Sequence, residues 1–195
     1  MNEMIRIRHA LGFCLVLGLS SLMPSVGFAS ETFAVHSETK LEFVAKITGS
    51  SFRGESRSLK GTVELDREAK ELTKVNVILP ADSIKAGMSK RDSHMREKYL
   101  HTDKFPLVVF KAQKVPFDVT AGSKGTIAGV FTVHGVEKPA KIEFTVKSIT
   151  EAEVVLDSSF AVNILDYGIK QPKFMVVKME PVLKMDLRLI LRKKS

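Results

Sequence analysis

The chain has one cysteine, two tyrosines and no tryptophan among its 195 residues. Cys14 lies in an N-terminal apolar segment that we expect to be removed, so the mature chain should contain no thiol. Without thiols there is no disulfide, no cysteine nucleophile and no thiolate metal site. Stability must therefore come from a hydrophobic core, and the length after the segment is enough to bury one.

Familiar catalytic motifs are also missing. The chain has no Gly-rich phosphate loop, no nucleophile elbow and no paired-histidine zinc motif. His94, Glu97 and His101 have the spacing of one helix face, which is compatible either with a metal site or with a solvated charged face. We favour the solvated face, because no supporting carboxylates are evident. His36 and His134 read as ordinary, partly exposed histidines. We therefore predict a non-enzymatic protein with no catalytic residue, metal or cofactor.

No apolar run is long enough to span a membrane. The longest, 10–23, has 14 residues, whereas a membrane helix needs about 20. Two arginines precede this run, and Gly27-Phe28-Ala29 offers small residues at the cleavage positions. The pattern predicts a signal peptide over 1–29 and a secreted, periplasmic domain over 30–195.

The charge is strongly of one sign, with a formal net charge of +8 at pH 7. A basic surface can attract nucleic acid or anionic lipid, or have no specific partner. The basic residues are scattered, apart from Arg192-Lys193-Lys194 at the end, and an exported protein seldom meets nucleic acid. We therefore predict no nucleic-acid partner.

Most of the chain alternates apolar and polar residues with the period of a half-buried β-strand. About eight such runs follow one another with turn residues between them, which predicts an all-β sandwich or up-and-down barrel. The last run is the most regular, and we assign its apolar face to the interior: Leu183, Met185, Leu187, Leu189 and Leu191.

One stretch, Gly87–Phe110, interrupts the alternation with a charge-dense block, "GMSKRDSHMREKYLHTDKFPLVVF". Ser89 is a predicted N-cap, and Asp92 follows three residues later as in a capping box. Pro106 ends any helix and favours an extended residue before it. We predict a short amphipathic helix that crosses the barrel.

Four motifs occur in order along the chain, two of them in this block: Phe52-x-Gly54, Arg91-Asp92-x-His94-Met95, Asp103-x-Phe105-Pro106 and His134-Gly135-Val136-x-Lys138-Pro139. With these motifs the chain resembles the YceI-like family of exported lipid- and polyisoprenoid-binding proteins. The resemblance implies an eight-stranded antiparallel, lipocalin-like barrel with one short helix between strands. It also implies an elongated apolar cavity for an isoprenoid chain or a similar lipid. "NILDYGIKQPKFMVV" departs from the family, which usually has a basic residue shortly before Asp-Phe-Gly, so ligand chemistry at that end is not carried over.

The resemblance and the apolar composition together give candidate site residues. The cavity candidates are Phe43, Met95, Tyr99, Phe110, Phe131, Phe144, Phe160, Met185 and Leu187. Arg91, Asp92 and His94 are candidates for anchoring the helix or holding a lipid head group. The expected function is binding, transport or sequestration of a long-chain isoprenoid or similar lipid. The alternative is a stress-related accessory or interaction domain with a closed core, because composition does not distinguish a filled barrel from a hollow one. A homodimer is left open.

Overall fold

The structure is a computed structural model that describes residues 30–194, apart from the side chain of Phe174. The predicted signal peptide, 1–29, lies outside the described residues. Strands dominate the described part, and they are numbered in chain order: β1 Glu31–Val35, β2 Lys40–Ile47, β3 Ser50–Ser56, β4 Lys60–Asp66, β5 Glu71–Pro80, β6 Leu107–Pro116, β7 Lys124–Val133, β8 Val136–Ile149, β9 Glu153–Asn163, β10 Lys173–Phe174, β11 Val177–Lys178 and β12 Val182–Lys193.

Eight of these strands close into an antiparallel barrel, as predicted. The order is β1-β4-β5-β6-β7-β8-β9-β12, and β12 pairs with β1 to complete the ring. Strand β2 continues along the same edge of β12 that β1 uses, so that Lys40 faces Arg188 while Val35 faces Leu191. Strand β3 then pairs with β2. The β2–β3 hairpin therefore lengthens the barrel wall at one end.

The two ends of the barrel differ in how they are filled. Alternating side chains of the strands point inward, and at one end they form a solid core. We call this the packed end; its most deeply buried side chains are Phe33, Leu65, Phe117, Val146 and Leu191. The opposite end carries the β2–β3 and β7–β8 turns and the irregular segments 81–106 and 164–181. We call it the cavity end.

The predicted short helix lies between β5 and β6. Segment 81–106 contains a 3-10 turn Ala81–Ser83, helix α1 Ser89–His94 and a π-helical turn Met95–Leu100. The segment covers the edge of β3: Glu55 and Lys85 exchange backbone hydrogen bonds of 2.8 and 3.0 Å. The residues just before the helix thus pair with the edge of β3 that β2 leaves free.

The predicted capping box is wrong. Met88, rather than Ser89, occupies the N-cap position, and it makes no side-chain cap. The Asp92 carboxylate instead accepts a hydrogen bond of 2.7 Å from the backbone N–H of Ala86. Ala86 is only 4% exposed, so its amide needs a partner inside the protein, and the carboxylate supplies one.

Candidate functional site

An apolar cavity of about 180 Å³ occupies the cavity end of the barrel. Its walls come from the inward faces of the barrel strands and the β2–β3 hairpin, with contributions from segments 81–106 and 164–181. Glu55, Ser56 and Ser158 are the polar residues among those that line it; the others are apolar. The site can therefore hold an apolar group but offers little to a polar one.

Most predicted cavity residues do line this space. They are Phe43, Phe110, Phe131, Phe144, Phe160, Met185 and Leu187. Met95 and Tyr99 do not. Met95 packs against the buried group of Phe43, Ala45 and Ala86, and Tyr99 packs against the buried group of Ile164, Tyr167 and Ile169. Leu100, which sequence reasoning overlooked, is the residue of this turn that reaches the cavity.

Other lining residues were missed for two reasons. Leu41 and Leu79 continue strand alternations that the sequence displays, so the signal was present but gave no reason to choose them. Ile84 and Ile169 come from irregular segments, where no periodicity indicates which way a side chain points.

Three phenylalanine rings of the wall lie over glycines of the neighbouring strand. Phe43 pairs with Gly54, and a Cβ at Gly54 would overlap the Phe43 ring. A Cβ at Gly129 would come within 2.7 Å of the Phe110 ring, and one at Gly125 within 2.5 Å of the Phe144 ring. Because the glycines lack a side chain, the rings can lie flat along the wall instead of projecting into the lumen. This arrangement keeps room in the cavity.

A buried cluster closes the mouth of the cavity. Ile164, Tyr167 and Ile169 are 4–6% exposed and pack against Leu100 and Val133; we call these five residues the capping cluster. Burial, and to a smaller degree the neighbouring carboxylate of Asp166, raise the pKa of the Tyr167 phenol. The phenol therefore stays neutral, as a side chain packed in an apolar cluster must.

A pair of histidines ties the capping segments together. His101 Nδ1 and His134 Nε2 are 2.9 Å apart, and His134 Nδ1 lies 3.2 Å from the Tyr167 carbonyl. Because a carbonyl only accepts, a neutral His134 in this geometry has its proton on Nδ1, which leaves its Nε2 to accept from the Nδ1–H of His101. The Phe105 ring packs against the His134 ring at a tilt of 57°, with centroids 4.3 Å apart. The pair links three segments across the mouth, a role that the sequence did not indicate.

Arg91 and Asp92, two of the three polar candidates, fix the start of the helix to Ala86, and Arg91 also contacts the β2–β3 hairpin. The Arg91 guanidinium donates to the Ala86 carbonyl at 3.0 Å and lies 4.1 Å from the centre of the Phe52 ring. Together with Asp92, Arg91 therefore fixes both polar groups of the Ala86 backbone. His94 makes no side-chain hydrogen bond within residues 30–194. Neither Arg91 nor Asp92 lines the cavity.

The barrel wall has a gap between β8 and β9. Their pairing reaches only to Thr145 and Asp157; β8 from 136 to 143 and β9 from 158 to 163 are not paired with each other. The unpaired parts of β8 and β9 border a groove of about 900 Å³, which we call the lateral groove. Phe131 and Phe160 line both the groove and the cavity, so apolar interior side chains are reachable from the side.

Metal ligands are not grouped in the part of the chain that the structure describes, since no three His, Cys, Asp or Glu residues could hold an ion. Across residues 30–194, no helix is both long and apolar enough to cross a bilayer.

The barrel, its covering helix and the apolar cavity can now be compared with known proteins. The profile of the YceI-like domain matches residues 33–189. The chain belongs to the YceI-like family. Membership agrees with the motifs in segment 81–106 and in the β7–β8 turn, and the match covers nearly all of the barrel.

Sequence relatives of this YceI-like chain occur in Yersinia. A UPF0312 protein of Yersinia enterocolitica is 31% identical over 106 residues, which cover 53% of this chain and 53% of the relative. The chain thus matches about half the length of that relative. A UPF0312 protein of Yersinia pestis is 30% identical over 133 residues, or 65% of this chain and 68% of the relative.

Solved structures share the YceI-like fold at low identity. A polyisoprenoid binding domain from Saccharophagus degradans, implicated in plant cell wall breakdown, has a TM-score of 0.66 at 13% identity and covers 85% of this chain and 100% of its own. BcnA of Burkholderia cenocepacia has a TM-score of 0.67 at 15% identity, and the match covers 80% of this chain and 98% of BcnA. At such identities the likeness concerns the fold alone.

Proposed function

We propose that the protein binds a long-chain isoprenoid or a similar lipid in its cavity, and carries or sequesters it in the periplasm without catalysing a reaction. The observation that carries the proposal is the apolar cavity inside an otherwise well-packed barrel. A cavity with so few polar residues selects a ligand by its hydrocarbon part. The Saccharophagus domain of the same fold is a polyisoprenoid binding domain, which supports this choice.

The affinity for such a ligand would come from hydrophobic burial. Each methylene group removed from water contributes about 0.8 kcal/mol, so a long isoprenoid gains many kcal/mol before the cost of ordering it. Affinity should therefore rise with the length of chain that the protein can cover.

The size of the cavity limits how a long chain fits. About 180 Å³ is below the roughly 300–1,000 Å³ that is usual for pockets that enclose a small-molecule ligand. We propose that the chain begins in the cavity and continues through the gap into the lateral groove, past Phe131 and Phe160. This route needs no displacement of the capping cluster.

The decisive experiment identifies the natural ligand. Protein purified from its own periplasm without detergent is examined by native mass spectrometry, and its lipids are then extracted. We expect a bound apolar lipid, and delipidated protein should rebind prenols with an affinity that grows with chain length. A protein that carries no lipid and binds neither prenols nor fatty acids would refute the proposal.

The alternative, an accessory or interaction domain with a closed core, requires a filled barrel. The cavity and the accessible Phe160 ring support the carrier instead.

A further inference from the structure

The hairpin β10–β11 projects an unusually exposed apolar tip. Phe174 pairs with Val177, which leaves Met175 and Val176 as a two-residue loop. These two side chains are 85% and 84% exposed, the highest values among the large hydrophobic side chains that the structure describes. Met175 also has a φ of 52°, a conformation that glycine or asparagine adopts at lower cost. A methionine held there in water does nothing for the stability of the fold.

Lysines surround the base of this tip. Lys173 and Lys178 face each other across the hairpin, and Lys170 precedes it; all three are exposed. None of them forms a salt bridge with another residue of the described part. Like charges directly opposite each other destabilise a strand pair. The arrangement becomes favourable when an anionic surface lies against the hairpin.

The hairpin is held firmly to the barrel next to the cavity mouth. Thr48 N–H donates to the Lys178 carbonyl at 3.0 Å, and Lys178 N–H donates to the Thr48 hydroxyl at 3.0 Å. The Gln171 amide donates to the Met179 carbonyl at 2.7 Å. Met179 packs against the buried group formed by Ile164, Tyr167 and Ile169. The base of the hairpin is therefore anchored at the cavity end, and the tip projects from there.

A convex apolar tip ringed by cations fits a lipid bilayer better than a protein surface. Two side chains cannot form a stable protein interface, which buries roughly 800 Å² on each partner. They can enter the boundary between head groups and acyl chains while lysines contact phosphates. We infer that the β10–β11 hairpin docks the protein on an anionic phospholipid bilayer, with Met175 and Val176 inserted and Lys170, Lys173 and Lys178 on the phosphates.

Docking is tested by co-sedimentation of delipidated protein, lacking 1–29, with vesicles. We expect binding to mixed phosphatidylglycerol and phosphatidylethanolamine vesicles and little binding to phosphatidylcholine vesicles. High salt should release the protein, because the Debye length falls to about 3 Å at 1 M. Val176→Asp should weaken binding roughly tenfold. Val130→Asp is the matched control, because Val130 is another exposed valine, 40% exposed on β7, and the charge change is the same.

A second pair of variants separates specific contact from net charge. Lys173→Gln with Lys178→Gln should weaken binding, whereas Lys111→Gln with Lys124→Gln removes the same charge elsewhere and should not. Equal effects of the two double variants, unchanged binding of Val176→Asp, or no vesicle binding by the unmodified protein would each overturn the docking proposal.

One further variant distinguishes docking from lipid uptake. Leu187→Trp obstructs the cavity but leaves the hairpin intact, so it should bind vesicles like the unmodified protein. If Leu187→Trp abolished sedimentation with vesicles, the binding would reflect uptake of lipid into the cavity, and docking through the hairpin would be refuted. Failure of docking with retained prenol binding would leave the proposed function standing.

Discussion

Two leucines on one face of β12 provide a direct test of where the barrel is hollow. Leu187 lines the cavity, whereas Leu191, four residues or two pleat repeats further along the strand, is 2% exposed in the packed end. Replacing each in turn by tryptophan makes the same chemical change on the same strand and the same face. Any difference between the two variants must come from the space around them.

The expected magnitudes differ clearly. Overfilling a packed core typically costs about 1–3 kcal/mol, which for a chain of this size lowers the melting temperature by roughly 2–12 °C. We expect that loss for Leu191→Trp. For Leu187→Trp the indole enters the cavity, so the loss should stay below about 1 kcal/mol. If the indole displaces about three methylene groups of the ligand, binding weakens by roughly 2.4 kcal/mol, or about 60-fold.

The assay pairs thermal unfolding of lipid-free protein with prenol binding on the same samples. The natural chain has no tryptophan, so emission from the introduced indole also reports directly on ligand entry. Equal losses of stability in the two variants would mean that the cavity is not open space in solution. Unchanged prenol binding by Leu187→Trp would mean that the ligand lies elsewhere.

Three further predictions address the helix, the response to acid and the lateral groove. Asp92→Ala leaves the buried Ala86 amide without its acceptor, and should lower the free energy of unfolding of lipid-free protein by about 1–3 kcal/mol in denaturant titrations. Asp92→Asn retains an acceptor and should lower it less, so equal losses would contradict the contact. Hydrogen bonding from Lys193 lowers the pKa of the Glu31 carboxyl below its usual 4.5, so this stabilisation is present above that pH and is lost as the pH falls through the lower folded value. Between neutral and acid pH, the melting temperature should therefore fall less steeply for Glu31→Gln than for the unmodified protein. An unchanged dependence of melting temperature on pH would refute the assignment. Ala161→Trp narrows the lateral groove, and should slow prenol loading in stopped-flow measurements while leaving the melting temperature of the lipid-free protein unchanged. An unaltered loading rate would exclude entry through the lateral groove.

Much of the barrel could be predicted from the sequence because strand side chains alternate with a period of two. On β12 the inward face, from Leu183 to Leu191, is the apolar set that the pattern indicates. The helix between β5 and β6 was predictable because a charge-dense block interrupts that period and ends before Pro106. Both signals are local, so a single sequence contains them.

Whether the barrel is filled was decided only by the tertiary structure. Leu187 and Leu191 have the same residue type and parity, yet one borders a cavity and the other a solid core, because that depends on which side chains project from the opposite wall. The contact between His101 and His134 joins turns 33 residues apart and depends on how the barrel closes. Met95 and Tyr99 were assigned to the cavity because they lie on the apolar edge of a helix, but they pack against the buried groups around Phe43 and Ile164 and do not line the cavity. Sequence pattern specifies which side of an element is apolar, and only the assembled fold determines what that side meets.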